Sequence, residues 1–493
     1  MSLPQLKDSD LSKPVPQDLE KWWAILSLSI GFFLFALDVY IVNLALPTMV
    51  DSLHTSFANI QWVVISYLLA IVVFVLSAAK LGDMFSKKRL YIMGLIVFTV
   101  SSLLCGFSTT LGWLIVFRFL QGIGAAFLSG LGTAIIVEVF PAEQRGLGFG
   151  IRAGVFGMGI MVGPTVGGLL ISLGDWPLIF WINVPLGLIG ILMIAYLLPP
   201  SAVSHTKHNF DAIGTLILSL CLICFTFGLT VFQTQASNWV IALALLGGSA
   251  LSLVGFIWRE THHHEPMLDL KIFRSRSFGL GLILRFVGNF VIAGVIFILP
   301  FLFELANHYS TEKSGFLLLI PSIVTVVSAP IAGMLADRFG AKSINLIGLM
   351  LMAVGCGCIS TFDNQLTIGQ YVIGIIPYGL GVGLFETPNS SMIMGAAPPE
   401  HLGIASGLLS LVRILGQLVG VPLVGTLVAW ITINSTPLIQ HLDVTNVSPA
   451  SLISGIQTAF HLIVTLLITA VLLTFALESQ SGHKINSDIT ART

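Results

Sequence analysis

Charge is what this 493-residue chain has least of: Asp, Glu, Lys and Arg make up 9% of it, against 55% hydrophobic residues and a mean hydropathy of +0.96. Soluble domains carry roughly 25% charged residues, so this balance excludes a water-soluble core. No segment carries the GxxxxGK[ST] pattern of a phosphate-binding loop, and no soluble domain stands free to hold ATP. ATP-driven pumping by this chain alone is thereby excluded. HExxH, GxSxG and paired catalytic aspartates are missing from the apolar stretches, so an enzyme is not expected, nor a cofactor or a nucleic-acid partner. The five cysteines (Cys105, Cys221, Cys224, Cys356 and Cys358) lie in apolar stretches with no second ligand cluster. They read as small packing residues, and no metal site is expected.

What the chain does have is fourteen apolar stretches between Trp22 and Leu477, each long enough to cross a bilayer. A span needs roughly 20 mostly apolar residues, and a helix is the form in which one segment satisfies its own backbone. An all-α membrane protein with 14 transmembrane helices and the lipid bilayer as its solvent is the expectation. With the N-terminus placed in the cytoplasm, the outward loops hold one cation, Lys313. The inward side holds Lys80, Lys87, Lys88, Arg89, Arg145, Lys207, Arg259, Lys271, Arg274, Arg276, Arg338 and Lys342. That bias predicts a multi-pass protein of the plasma (cell inner) membrane with both termini cytoplasmic. Residues 1–21 lack a cleavage site after a short apolar run and read as a cytoplasmic tail, so the first span is retained.

The chain also repeats itself. Ala79-Lys80-Leu81-Gly82-Asp83-Met84-Phe85-Ser86-Lys87-Lys88 follows the second span, and Gly333-Met334-Leu335-Ala336-Asp337-Arg338-Phe339-Gly340-Ala341-Lys342 follows the tenth. The two copies are further apart than one six-helix unit allows, and removing a helix pair near 210–258 restores the offset. The predicted order is a bundle over 22–198, an inserted pair over 210–258, a cytoplasmic loop over 259–277, a second bundle over 278–477 and a tail over 478–493. Two related bundles with a site between them near the midplane are a common plan for secondary transporters. His262-His263-His264 in the loop reads as solvated, because no further ligands are spaced around it, and Asn434 to Ile456 forms the longest outer loop.

At this point three long motifs coincide. Leu37-Asp38-Val39-Tyr40-Ile41-Val42-Asn43-Leu44-Ala45-Leu46-Pro47 is similar to the first-helix pattern lDxTvvNvALP, with Tyr40 where Thr is usual. Arg118-Phe119-Leu120-Gln121-Gly122-Ile123-Gly124-Ala125-Ala126 fits the fourth-helix pattern RxxqGxgaa. Gly150, Gly159, Gly163-Pro164 and Gly167-Gly168 fit the fifth-helix pattern g-x8-G-x3-GP-x2-GG. The chain therefore resembles the fourteen-span drug:proton antiporter branch of the major facilitator superfamily over nearly its whole length. The loop motif GxLaDRxGrk is imperfect in the first half, at Met84 and Ser86, and better kept at Gly333, Asp337, Arg338 and Gly340. The resemblance implies a major facilitator fold that exports lipophilic, often cationic, small-molecule substrates against protons. The alternative on the same fold is export of one endogenous molecule, such as a siderophore, lipid or metabolite. A monomer is expected.

A charge at the bilayer centre costs at least about 2.5 to 3.5 kcal/mol, so each one inside a span needs a partner or a purpose. Asp38, Arg118, Arg285, Glu386 and Arg413 stand there, with Arg152 and Glu138 nearer the cytoplasmic ends and Glu304 closing the ninth span. Asp38 and Glu386 are the candidates for proton coupling, since a buried acid can hold a proton or an organic cation but not both. Arg118 keeps its charge and would act by lowering a neighbouring acid's pKa. Arg413 matches a family arginine, and Arg285 suits either a structural bridge or an anionic or zwitterionic substrate group. Tyr40, Asn43, Trp62, Tyr67, Phe385, Asn389 and Met392 are expected to line the cavity. Asp83 with Lys87, Lys88 and Arg89, and Asp337 with Arg338, are candidates for conformational latches. Gly159, Gly163, Pro164, Gly167 and Gly168 predict a kinked, closely packed fifth helix.

Overall fold

Hydrocarbon offers no partner to a backbone N–H or C=O, and throughout its described length the chain meets that constraint with helices. The computed structural model describes residues 17–140, 145–198, 212–234, 239–262, 275–397, 402–434 and 448–490. The first bundle comprises α1 (Gln17–Ser52), α2 (Phe57–Ile60), α3 (Trp62–Met84), α4 (Lys87–Gly106), α5 (Leu111–Val139), α6 (Arg145–Leu173), α7 (Leu178–Trp181) and α8 (Asn183–Leu197). The pair α9 (Ala212–Thr234) and α10 (Trp239–His262) follows. The second bundle comprises α11 (Arg276–Phe301), α12 (Thr311–Phe339), α13 (Ala341–Ile359), α14 (Ile368–Ala396), α15 (Leu402–Asn434) and α16 (Pro449–Thr490). Thirteen spans among the described residues are long and apolar enough to cross a membrane, and the apolar run Ile213–Leu229 of α9 supplies the fourteenth. Short α2 runs into α3, and α7 into α8, so that each pair makes one crossing.

The large apolar side chains left on the outside confirm the solvent. Leu173, Tyr196, Leu251 and Ile373 are 79%, 83%, 80% and 75% exposed, an arrangement that suits lipid and not water. α16 continues to Thr490, past the end of the apolar run, because no proline follows to break it, and α1 begins at Gln17, inside the stretch read as a tail. Residues 1–16, most of the 259–277 loop with its histidines after His262, and 435–447 of the long loop lie outside the described residues, as do the side chains of Lys80, Asp83 and Arg145.

Each bundle repeats one packing plan. In the first, α3 and α4 pack on α5, α1 on α6, and α8 on α4 and α1; in the second, α12 and α13 pack on α14, α11 on α15, and α16 on α13 and α11. The repeated loop differs between the copies for a backbone reason. Gly340 turns with φ of +87°, a conformation that favours glycine, whereas Ser86 stands in extended backbone (φ −61°) and caps α4 by accepting the Arg89 N–H. The extra pair is placed by α9, which packs on both α3 and α15 and sets Phe227 on Trp62, ring centroids 4.8 Å apart.

Two seams join the bundles, α6 along α12 and α3 along α15. The basic face is the end carrying Lys87 and Arg338; at the opposite, far face the seams are tight. A Cβ on Gly168 would lie 2.8 Å from the Thr311 carbonyl oxygen, and one on Gly315 2.5 Å from that of Pro164. Phe57 of α2 packs on Phe297 and Phe301 of α11 at 5.4 and 4.7 Å between centroids, a further contact between the bundles at that face. Nearer the basic face, Gly150 and Gly154 of α6 meet nothing within 4 Å. The bundles touch at the far face and part towards the basic one. Gly315→Val should force the far seam open. In a background lacking the five native cysteines, labelling of Thr165→Cys, which faces Gly315, by an impermeant maleimide should rise several-fold; unchanged labelling would refute the contact as a closure.

Candidate functional site

Among the described residues two ion pairs are set within the spans, and they differ in how completely they are enclosed. The first belongs to one bundle. Arg118 of α5 donates from Nη1 to Asp38 Oδ2 of α1 at 2.6 Å, with the two side chains 1% and 0% exposed. Asp38 Oδ1 accepts from Gln121 Nε2 at 2.9 Å and from Asn183 Nδ2 at 3.1 Å. Both amides also donate to Ser102 Oγ at 3.0 Å, and that hydroxyl in turn donates to the Phe180 carbonyl at 3.1 Å. Arg118 further donates to the Gln121 oxygen at 2.7 Å and the Val63 carbonyl at 3.0 Å, and its guanidinium lies 4.0 Å from the Tyr67 ring centroid. Helix geometry makes this possible: Arg118 and Gln121 are three residues apart on α5 and share a face. The two opposite charges are enclosed within one bundle, and no edge of the pair is left exposed.

The second pair lies between helices of the other bundle and has an open edge. Arg285 and Asn289 are four apart on α11; Glu386 and Ser390 are four apart on α14, so each helix presents two polar groups on one face. Arg285 Nη2 meets Glu386 Oε2 at 3.0 Å, and Asn289 Nδ2 donates to Glu386 Oε1 at 2.9 Å. Arg285 Nη1 reaches Ser390 Oγ at 3.2 Å and the Glu386 carbonyl at 3.3 Å. The Glu386 side chain is 27% exposed while Arg285 is 3% exposed. Tyr40 of α1 and Arg413 of α15, both partly exposed, lie within electrostatic reach of this pair, so the polar patch spans the gap between the bundles.

The other expected site residues divide by what they touch. Phe385, Asn389 and Met392 pack between α14 and α11 in this state rather than lining a cavity: Phe385 fills the space at Gly288, Met392 meets Gly281, and Asn389 donates to the Gly281 carbonyl at 3.1 Å. Asn43 is buried and bonds back to the Val39 carbonyl at 2.6 Å, Tyr67 lies against Arg118, and Trp62 faces α9. At the basic face Lys87 pairs with Glu138 at 3.2 Å, and Lys88 donates to the Ala195 and Leu198 carbonyls at 2.9 and 2.5 Å, capping α8. Arg89, Asp337 and Arg338 are exposed. The fifth-helix glycines serve two partners: Gly159, Gly163 and Gly167 face α1 from Phe33 to Leu44, whereas Gly168 and the Pro164 carbonyl face α12. Ser102, Asn183, Asn289 and Ser390 were not anticipated. Their one sequence signal is a polar side chain in an apolar span, three or four residues from a charge in the case of Asn289 and Ser390.

This pair of six-helix bundles around an inter-bundle polar patch defines a secondary transporter, and the chain belongs to the Major Facilitator Superfamily, whose model matches residues 28–421 and again 278–491. It is 31% identical to the riboflavin transporter RibZ of Clostridioides difficile over 81% of this chain and 87% of that one. It is 30% identical to the tetracenomycin C resistance and export protein of Streptomyces glaucescens over 83% and 76% of the two chains. Its fold matches a bacterial homolog of the human lysosomal transporter Spinster, solved in an inward-facing and unoccupied conformation, with a TM-score of 0.67. That match covers 94% of this chain and 97% of the other at 15% identity, a likeness of fold alone.

Breaking a buried pair by removing one partner typically costs about 3 to 5 kcal/mol. Asp38→Ala should therefore lower the unfolding temperature in detergent far more than Ser390→Ala, which removes two hydrogen bonds, from Arg285 and to the Glu386 carbonyl, each worth about 1 kcal/mol. Equal melting temperatures for Asp38→Ala and wild type would remove the anchoring role of the first pair.

Proposed function

We propose that this protein exports lipophilic organic compounds from the cytoplasm by alternating access, driven by proton entry. The observation that carries the reading is the contrast between two acids paired with arginine inside the spans, Asp38 and Glu386. Asp38 is enclosed by three donor side chains with no exposed edge, which suits an anchor within one bundle. Glu386 is part-exposed between the bundles and bound to a guanidinium, which suits a carboxylate that exchanges its proton with the cytoplasm. Protonation removes the charge that holds Arg285, so proton and substrate become alternatives at one patch. One elementary charge crossing 100 mV supplies about 2.3 kcal/mol, sufficient for an appreciable substrate gradient with one or two protons.

The excess of Lys and Arg at one face supports a cytoplasmic basic face with both termini on that side, in a plasma (cell inner) membrane. In that orientation the state described here is inward-open. A second reading, export of one particular molecule, gains weight from the Arg285–Glu386 pair and from a relative named for riboflavin.

Flux in proteoliposomes tests the reading. With a panel of fluorescent lipophilic dyes of either charge, an imposed proton gradient should drive accumulation that a protonophore abolishes, and Glu386→Gln should reduce that accumulation about tenfold or more while binding persists. Gradient-independent behaviour of well-folded wild-type protein towards every dye would sink proton coupling.

A further inference from the structure

The patch between the bundles is not electrically balanced. Arg285 has Glu386, but two further guanidiniums, Arg152 on α6 and Arg413 on α15, have no carboxylate within salt-bridge distance among the described residues. Their contacts are aromatic instead: Arg152 lies 5.3 Å from the Phe32 ring centroid and Arg413 4.8 Å from that of Phe156. Arg152 and Phe156 are four apart on α6 and therefore on one face, so Arg413, seated on Phe156, lies on the face of α6 that carries Arg152. The two lie within electrostatic reach of each other, and Arg413 also reaches Arg285. Asp38 is committed to Arg118, Glu138 to Lys87 and Glu304 to Thr311 at the far end of the second bundle, and Glu260 lies buried at the end of α10 in the inserted pair. Three guanidiniums thus face one carboxylate.

An aromatic face returns about 0.5 to 2 kcal/mol to a cation, less than the cost of holding it in hydrocarbon. Nor does arginine escape by losing its proton. The buried Nε atoms of Arg285 and Arg413 also have no acceptor. Two like charges on facing helices, one on α6 and the other seated on Phe156 of α6, with an unused donor and part-exposed side chains, form an acceptor-seeking pair of the kind that binds carboxylate, sulfonate or phosphate.

We infer that the cargo carries an acidic group, which sits between Arg152 and Arg413 with its apolar body against Phe156 and Tyr40. The inference rests on reading this patch as the transport site and names the chemical class it takes. An acid held there leaves Glu386 to the proton, and a donor on the rest of the molecule meets the exposed Glu386 carboxylate and competes with that proton, as antiport requires. Rings and hydroxyls without an acid satisfy neither free guanidinium, and a purely cationic compound meets the wrong sign.

Equilibrium dialysis of the whole protein in nanodiscs, with empty nanodiscs subtracted, tests this without any gradient. The probes are naphthalenesulfonate, its trimethylammonium counterpart and naphthalene carboxamide. Wild type should bind the sulfonate about tenfold or more tighter than the cation. Arg413→Gln and Arg152→Gln should each weaken the sulfonate by about tenfold or more and leave the carboxamide within about threefold, with Arg413→Lys in between. Thermal melting identifies any variant that fails to fold, in which case the ranking of the three probes on wild type decides alone. Tighter binding of the cation by wild type, or unchanged sulfonate binding by folded Arg413→Gln, overturns the inference. Sulfonate selectivity without proton-driven flux overturns the antiport reading and leaves the acid site standing.

Discussion

Everything in this molecule depends on the expense of an isolated charge in hydrocarbon. That one constraint separates its two ion pairs into different kinds of object. Around Asp38 the carboxylate is answered at both oxygens by groups of the same bundle: Arg118, Gln121 and Asn183, with Ser102 joined through the amides. A carboxylate and guanidinium so enclosed hold α1, α4, α5 and α8 in one arrangement and leave the ion pair no exposed edge for a visitor. Around Glu386 the accounting is left open, with a part-exposed carboxylate on one side and guanidiniums without carboxylates on the other. Incomplete satisfaction of this kind survives only where something mobile completes it. A proton and a substrate are both mobile, and the open edge faces the space between the bundles.

The same medium explains why small residues, not large apolar ones, make the seams. Lipid tails are as apolar as leucine, so burying leucine between bundles gains little, and close backbone packing has to supply the attraction. Gly159, Gly163 and Gly167 let α6 lie directly on α1 inside its own bundle, while Gly168 and Gly315 bring α6 and α12 together across the far face. One helix therefore packs on its own bundle along one side and on the opposite bundle along the other. The second seam is not equivalent, because α9 packs on both α3 and α15 and stacks Phe227 on Trp62. The inserted pair makes the two lateral seams of a pseudo-symmetric molecule different, so a rocking motion has a braced side and a free side.

How much of this was legible in the sequence follows from what each kind of residue reports. Hydropathy is a one-dimensional signal, so the spans, their number and the inserted pair could be read directly, and the repeated Asp83 and Asp337 loops gave the duplication. Charges inside spans announce themselves too, and Asp38, Arg118, Arg285, Glu386 and Arg413 stood out for that reason. Pairing is different, since nothing along the chain says that α1 meets α5 at Asp38 or that α11 meets α14 at Glu386. The neutral polar residues that complete each network, Ser102, Asn183, Asn289 and Ser390, are common enough in membrane helices to pass unnoticed. Phe385, Asn389 and Met392 flank Glu386 in sequence, yet the helical turn points them between α14 and α11 instead of into the gap. Nearness along the chain was a poor guide there, and periodicity the better one.

α1 ties the anchored and the mobile parts together. Asp38 and Tyr40 are two residues apart, about 200° around the helix, so they emerge on opposite faces. On one face Asp38 is locked to Arg118, which fixes both the rotation and the depth of α1 within its bundle. On the other, Tyr40 is held against α6 at Gly163 and reaches the field of Arg413 and Glu386 in the opposite bundle. A shift of charge at Glu386 is therefore felt by a helix that cannot turn or slide to absorb it. The force passes instead to the bundle as a rigid body, and the far seam at Gly168 and Gly315 is where a rigid body has least holding it. On this view the sealed pair matters to transport without ever exchanging a proton: it converts a local change of charge into the movement of six helices together.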